Sequence, residues 1–193
     1  MKDMALNLIA RKIPFAIEKP MGLNAEEAAE ILKAAEEAKA FCAIPFVWRY
    51  SDTVARLKES ILKTKILHMQ YRFIAGPPSR YLASSKWMLS SATAGGGCMT
   101  NLGVHFIDMA LYLTGSKSAD VLSSVYQYGH EYDIEIYASS KISINTDSDV
   151  YYPKFAEATL DDFISGRKPR ASATEMLVVR KILDSMNEAA KLS

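Results

Sequence analysis

The sequence has little cysteine, and its two cysteines are not arranged for a disulfide framework or a metal site. Cys42 and Cys98 lie far apart, and neither belongs to a CxxC pair. Disulfide scaffolds and zinc ribbons need more cysteines at closer spacing. We therefore expect two free thiols in a reducing compartment. The N-terminal segment carries early charges and no small-residue cleavage site, so no signal peptide is predicted and a cytoplasmic location is expected.

An excess of charge of one sign is also lacking. The 23 lysines and arginines are balanced by 22 aspartates and glutamates, and the net charge is +1. No basic block stands out along the chain, which argues against nucleic acid as the main partner. The apolar runs are short and interrupted, so no membrane span is predicted. With 49% hydrophobic residues in 193 positions, the composition is that of a globular protein with a real core.

A dinucleotide fingerprint is absent as well. The pattern GxGxxG, which marks the pyrophosphate site of a Rossmann domain, does not occur in the sequence. The predicted elements nevertheless begin in the order strand, helix, strand and continue with further strands and helices. This order indicates an α/β or α+β layer architecture.

Periodicity and capping residues locate the predicted elements. Capping boxes are predicted at Asn24 with Glu27 and at Ser172 with Glu175, and Ser51 is predicted to cap the helix that follows it. Besides the helix after Ser51, helices are predicted at 4–11, 25–40, 99–113, 153–166 and 172–191. The predicted strands lie at 14–20, 43–50, 65–73, 121–128, 132–138 and 141–146.

The most informative stretch is 94–115, AGGGCMTNLGVHFIDMALYLTG, in which three glycines precede a helical pattern. Polar residues at i, i+4, i+7 and i+11 share one face of this helix. They are Asn101, His105, Asp108 and Tyr112. Apolar residues cover the neighbouring strip, and Gly103 lies beside them, where it would let another backbone or a ligand come close.

Four interpretations of this stretch are open from spacing alone. A phosphate loop would need a Lys-Ser/Thr pair after the glycines, and none follows. A metal site could use His105 and Asp108, but the other histidines, His68 and His130, form no second ligand cluster, and no metal is predicted. Packing of an interior histidine is the interpretation that spacing favours. A proton-transfer site would need a second group such as Lys19, and spacing cannot give its distance.

The same stretch closely resembles the signature GGG-x-x-x-D/N-x-G-x-H-x-x-D of the Gfo/Idh/MocA oxidoreductases, the family of glucose–fructose oxidoreductase and inositol 2-dehydrogenase. The segment FAIEKPMGLNAEEAAEILKAAEEA (15–38) is similar to the EKP motif of the family and the helix after it. Residues 47–61 and 155–190 resemble later segments. These motifs recur in the family's order and at family-like separations, which makes the resemblance specific.

The resemblance implies an α+β fold, with a mixed, largely antiparallel sheet and helices packed on one face. This is the substrate and oligomerisation domain of the family. Residues 1–20 are expected to be a remnant of the last helix and strand of a nucleotide-binding domain, and 21–193 the C-terminal domain. The sheet is expected to be shortened between 128 and 132, and the N-terminal Rossmann domain to be missing.

The resemblance also implies a catalytic site. Lys19 of the EKP motif would hydrogen-bond the reacting oxygen and orient the substrate. His105 would take or return the hydroxyl proton, with a pKa near working pH. Asn101 stands where the family often has Asp, and it would position the substrate or the histidine.

Further contacts follow from the same motifs. Substrate contacts are expected from Arg49, Asp108 and Gly97. Cofactor contacts are expected from Glu18, Lys19 and Pro20, and the peptide bond between the last two is expected to be cis.

Family members move a hydride between NAD or NADP and a sugar, a polyol or a related hydroxyl compound. The chain is therefore expected to be the substrate-binding and oligomerisation part of such an oxidoreductase, inactive alone. It would be either a fragment of that enzyme or a part encoded separately from its Rossmann half. The alternative is a non-catalytic binding or assembly module of the same fold. Ile134 and Ile136 alternate with polar residues, so an open sheet face is expected to pack against a second copy in a homodimer or higher oligomer.

Overall fold

The computed structural model describes residues 1–62, 66–73, 93, 99–122, 124, 132–135 and 151–191. The α-helices are α1 (Lys2–Ala10), α2 (Ala25–Ala38), α3 (Asp52–Ile61), α4 (Val104–Thr114), α5 (Tyr151–Ile164) and α6 (Ala173–Lys191). The strands are β1 (Phe15–Ala16), β2 (Cys42–Ala43), β3 (Gln70–Phe73) and β4 (Tyr132–Glu135). A 3-10 turn spans Val47–Tyr50, and a π-helical turn spans Met99–Gly103. None of the helices in these ranges is both long and apolar enough to cross a membrane.

The first part of the chain is a short β-α-β unit. β1 and β2 pair in parallel, with Phe15 opposite Cys42 and Ala16 opposite Ala43. Parallel strands need a crossover connection, and α2 supplies it. On its other side, Ala43 forms an antiparallel bridge to Ser172, just before α6. The beginning and the end of the chain are therefore joined through β2.

Helix starts follow the predicted capping residues. The Asn24 side chain accepts a hydrogen bond of 2.9 Å from the backbone N–H of Glu27. At α6, the backbone N–H of Ser172 donates to the Glu175 carboxylate at 3.0 Å, which is the reciprocal half of a capping box. Ser51 caps α3 in the same way as Asn24 caps α2. The caps at Asn24, Ser51 and Ser172 are confirmed. The capping box at Asn24 is incomplete, because the Glu27 carboxylate accepts from the backbone N–H of Leu23, at 2.9 Å, instead of that of Asn24.

The strand predicted at 43–50 is wrong after its first residue, Ala43. β2 ends at Ala43, and Val47–Tyr50 forms the 3-10 turn instead. Pro45 lies between the two, and a proline has no backbone N–H to give to a strand ladder. Of the aromatic residues that suggested a strand, Trp48 packs on His105 and Phe106 of α4, and Tyr50 packs on Phe155 of α5.

The described strands do not form a largely antiparallel sheet. They make one parallel pair, β1 with β2, and one antiparallel pair, β3 with β4. The described part of the chain is thus helices with small strand pairs, a mixed α and β structure. Most of the strands predicted at 121–128 and 141–146 lies outside the described residues, as do the expected shortening between 128 and 132 and the predicted substrate residue Gly97.

The main core lies where α1, α2 and α6 meet. Its most deeply buried apolar side chains include Ile31, Phe46, Met176 and Leu183, and Val104 brings the start of α4 into it. It is an apolar core of the kind that the hydrophobic effect stabilises. The division of the chain at residue 20 stays a prediction.

A second cluster lies on the other side of α4. It contains Val54 of α3 together with Met109 and Leu113 of α4, and Trp48 and Tyr112 pack against it. We call this group the second cluster below. α4 is therefore held between two apolar groups, and the candidate site lies along this helix.

Candidate functional site

Lys19 lies just after β1, in a turn that leads to α2. The Lys19–Pro20 peptide bond is cis, as the resemblance implied. Two residues on, Gly22 has a φ of +85°, where a Cβ atom would come within 2.8 Å of the Glu27 Cβ. Glycine is the residue that fits this position. The turn carries the Lys19 side chain towards the π-helical turn.

The Lys19 ammonium group binds the π-helical turn. Its Nζ donates to the backbone carbonyl of Asn101 at 2.7 Å and lies 3.5 Å from the Asn101 Oδ1. A π-helical turn is wider than an α-helical turn, and such turns are frequent at functional sites. This turn was not predicted, because its sequence also fits the periodicity of an α-helix. It joins two predicted catalytic residues that lie 82 positions apart.

Gly103 ends the π-helical turn and is buried. A Cβ atom here would come within 2.6 Å of the Met99 Cε and 2.8 Å of its Sδ. The close approach at this glycine is therefore made by a side chain from the same turn. Because a methionine end is flexible, a substitution would first displace Met99.

His105 lies one turn further along, in the first turn of α4, with 6% of its surface exposed. Its imidazole stacks on the Trp48 indole, with ring centroids 4.9 Å apart and planes 29° apart. Phe46 approaches the same ring edge-on at 6.4 Å. The His105 Nδ1 is buried without a hydrogen-bond partner among the described residues.

Burial controls the charge of His105. Burial, together with the smaller effect of the positive charge of Lys19, lowers the pKa of the imidazole to about 3. The expectation of a pKa near working pH is therefore not met in this structure. His105 is neutral at neutral pH, which leaves it able to accept a hydrogen bond or a proton.

Burial also lowers the pKa of Lys19, against the opposing effect of the Glu18 carboxylate. Glu18 is exposed, and it accepts a 3.3 Å hydrogen bond from the backbone N–H of Lys19. An ammonium group in this position is partly stripped of water, which strengthens its hydrogen bonds to oxygen. The site thus places a cationic donor close to a neutral imidazole.

Arg49 and Asp108, both predicted to bind substrate, pair with each other. The Arg49 Nε donates to Asp108 Oδ2 at 2.9 Å, and its Nη2 donates to Oδ1 at 2.5 Å. Their side chains are only 5% and 2% exposed. The Arg49 Nη1 also donates to the carbonyl of Arg170, and the guanidinium lies over the Tyr112 ring.

This ion pair joins the 3-10 turn to α4. Burial raises the pKa of Asp108 to about 6, while the hydrogen bonds and charge of Arg49 oppose that rise. The carboxylate is therefore ionised at neutral pH. Breaking a buried pair by removing one partner leaves an uncompensated charge, so the pair fixes the two elements relative to each other.

Sequence reasoning missed Trp48, the ring that His105 stacks on. The only signal was the aromatic content of the stretch next to Arg49, and that content was interpreted as a strand. No group of three or more His, Cys, Asp or Glu side chains that could hold a metal ion is found among the residues that the structure describes.

Known proteins are similar to this chain. The model of the GFO/IDH/MocA C-terminal domain matches residues 60–152. The rhizopine catabolism protein MocA of Rhizobium meliloti is 29% identical over 119 residues, which make up 60% of this chain. The matched region spans only 35% of the length of that protein.

Solved structures share the fold. GenD2 from gentamicin A biosynthesis, solved in complex with NAD, is 16% identical with a TM-score of 0.76, over 98% of this chain and 73% of that one. The myo-inositol 2-dehydrogenase of Lactobacillus plantarum is 15% identical with a TM-score of 0.72, over 99% of this chain and 75% of that one. At such identities the likeness is one of fold.

Proposed function

The chain belongs to the Gfo/Idh/MocA oxidoreductase family, in its C-terminal domain, and on that premise we propose that it is the substrate-binding and oligomerisation part of an NAD(P)-dependent oxidoreductase. The substrate is a sugar, a polyol or a related hydroxyl compound. On its own this part is inactive, because turnover also needs a dinucleotide-binding part.

The meeting of Lys19, Asn101 and His105 carries this proposal. An ammonium group has three N–H donors, so Lys19 can bind Asn101 and a substrate oxygen at the same time. A neutral imidazole beside it can accept the proton of the same hydroxyl group. The Asn101 side chain lies beside them, with its Oδ1 3.5 Å from the Lys19 Nζ. This set of groups suits a ligand whose reacting group is a hydroxyl.

The described residues do not fit a dinucleotide pyrophosphate. In a βαβ unit that group binds the free N–H groups at the helix N-terminus. Here the backbone N–H of Ala25 donates to the Asp184 carboxylate at 2.6 Å, and that of Glu27 donates to the Asn24 side chain. The start of α2 is therefore already occupied by protein groups, one of them anionic. Cofactor contacts from Glu18, Lys19 and Pro20 stay a prediction.

A second candidate function is a non-catalytic binding or assembly module of the same fold. Two observations favour it. The pKa of His105 is about 3, which makes the imidazole a poor acceptor for a hydroxyl proton. Asn101 supplies an amide where a carboxylate would assist a base. Under this alternative the site binds a hydroxyl ligand without turning it over.

We also propose a homodimer or higher homo-oligomer. Exposed apolar side chains on one helix support this proposal: in α5, Tyr152, Leu160, Phe163 and Ile164 are all exposed. Such a stripe is unusual on a face that meets only water. Sedimentation at micromolar concentration tests the proposal, with an oligomer expected and a monomer as the contradicting result.

Titration calorimetry with NAD and with NADP, followed by an oxidation screen on sugars and polyols, tests the proposed function. We expect no micromolar dinucleotide binding and no turnover by the chain alone. Measurable turnover by the chain alone would contradict the proposal. Activity that appears only when a dinucleotide-binding half from the same cells is added, and that is lost in His105→Ala, would support the oxidoreductase over the non-catalytic module.

A further inference from the structure

The orientation of His105 needs an explanation. A functional imidazole is commonly oriented by a hydrogen bond at the ring nitrogen that does not face the ligand. In the described part of this chain, the His105 Nδ1 has no such partner, although it is buried. Some other contact has to hold the plane of the ring.

The nearest ring is that of Trp48. The two rings lie nearly parallel, with their centroids 4.9 Å apart. Phe106 meets the other part of the indole edge-on at 4.9 Å, and Tyr71 packs on Phe106 at 5.4 Å. The indole is therefore supported by a row of rings and cannot turn freely.

The buried ion pair places the two stacked rings against each other. Trp48 precedes Arg49 in the 3-10 turn, and His105 precedes Asp108 by three residues, one helical turn, in α4. When Arg49 binds Asp108, it brings the turn and the helix together at this one point. The stack is thus built into the contact between two elements.

We propose that Trp48 is a positioning residue for His105: its indole sets the plane of the imidazole and excludes water from one face of it. This rests on the proposed function only for what the imidazole is positioned to do, which is to meet the ligand held by Lys19. Trp48 itself is half-buried and does not need to touch the ligand.

The charged groups near the stack come from three elements. Lys19 follows the end of β1, and its charge acts on the imidazole. Arg49 and Asp108, on the 3-10 turn and on α4, neutralise each other. Protonation of His105 is therefore opposed by burial and by one cation, and Trp48 contributes to the burial.

The proposal is tested by following the ring protons of His105 by NMR in the chain without ligand, with His105→Gln used for assignment. In Trp48→Leu, we expect the midpoint of the His105 titration to rise by about one pH unit or more, because water reaches the ring. Trp48→Phe restores an aromatic face and should return the midpoint most of the way. An unchanged midpoint in Trp48→Leu would overturn the proposal.

Phe106→Leu is the matched control, because Phe106 packs on Trp48, whereas Trp48 is the ring that stacks on His105. It should move the midpoint much less than Trp48→Leu does, and an equal movement would overturn the proposal. If Trp48→Leu does not fold, the chemical shifts of the His105 ring protons in the wild type and in Trp48→Phe provide the test instead. The ring protons of His105 should lie upfield in the wild type relative to Trp48→Phe, and identical positions would overturn the proposal. No substrate or cofactor is present, so these results do not depend on the proposed function.

Discussion

The main core and the second cluster hold α4 from opposite sides by different means. On the main-core side, Val104 and Ile107 are buried among aliphatic side chains from α1, α2 and α6. On the other side, Met109 and Leu113 are accompanied by a buried ion pair, Arg49 with Asp108, and by cations over the Tyr112 ring. The main core also holds a buried arginine, Arg180, paired with Asp184 on α6. The two sides therefore differ in what meets α4 itself: aliphatic side chains on one side, and apolar, aromatic and ionic contacts on the other.

The difference shows where geometry is specified. Apolar packing is non-directional and tolerates changes of shape that conserve volume. An ion pair with two parallel hydrogen bonds works in one arrangement only. The directional contacts lie beside Trp48 and His105, on the side of α4 that carries the candidate site. The main core stabilises the fold, while the second cluster sets how the 3-10 turn meets α4.

The largest effect is expected from Asp108→Asn, which keeps the shape of the side chain and removes its charge. The variant leaves the buried Arg49 without a counter-charge, and we expect a loss of about 3–5 kcal/mol in the free energy of unfolding. Urea denaturation followed by circular dichroism measures it. The exposed pair of Lys33 and Glu37, 3.9 Å apart, supplies the control: Lys33→Met should change stability by less than about 0.5 kcal/mol. Equally small changes in both variants would show that the buried pair contributes no more to stability than the exposed one.

The next-largest effect is on the stability of the fold at acid pH, to which His105 contributes. In the unfolded chain a histidine titrates near pH 6.5, and in the folded chain the pKa of His105 is about 3. Between these values the unfolded state binds more protons, so the contribution of His105 to stability is complete above pH 6.5 and is lost as the pH falls towards 3.

His105→Gln should therefore make the free energy of unfolding depend less on pH in the acid range. In this window we expect the slope of unfolding free energy against pH to fall by up to about 1.4 kcal/mol per pH unit relative to the wild type. Asp108 remains in both proteins, so the difference between the two curves isolates His105. Superimposable curves measured by urea denaturation from pH 7 to pH 4 would show that the imidazole is not held neutral by burial.

The smallest effect is expected from a conservative change in the main core. Ile31 is fully buried on α2, and Ile31→Val should cost about 1 kcal/mol, because it removes one methylene group and leaves the packing otherwise intact. Thermal unfolding measures it. A loss as large as that of Asp108→Asn would mean that the two sides of α4 do not differ in their tolerance of near-isosteric changes.

Local signals in the sequence were sufficient for the helices. The capping residues Asn24 and Ser172 act within three residues of their partners, so their effect can be predicted without knowing the fold. The 3-10 turn at Val47–Tyr50 could not be predicted in this way. Its conformation depends on Pro45 and on the packing of its rings against α4, and the second of these is a tertiary contact.

The candidate site depended on distant contacts. Lys19 and Asn101 are 82 positions apart, and Arg49 and Asp108 are 59 apart, so residue spacing alone carries no information about either pair. The family resemblance brought Lys19, Asn101 and His105 together as a hypothesis. It also assigned Arg49 to the substrate, but its fork of donors binds Asp108 and the Arg170 carbonyl. The low pKa of His105 follows from burial, which sequence does not give.

The central claim is that Lys19, Asn101 and His105 form one site for a hydroxyl ligand. The most direct test is a titration of the chain with myo-inositol, glucose and glycerol, in which the His105 ring resonances are followed by NMR. We expect a saturable shift with at least one of these ligands. The shift should be lost in Lys19→Met and kept in Lys33→Met, which changes an exposed lysine on α2. No shift with any of the three, or a shift that survives in Lys19→Met, would contradict it.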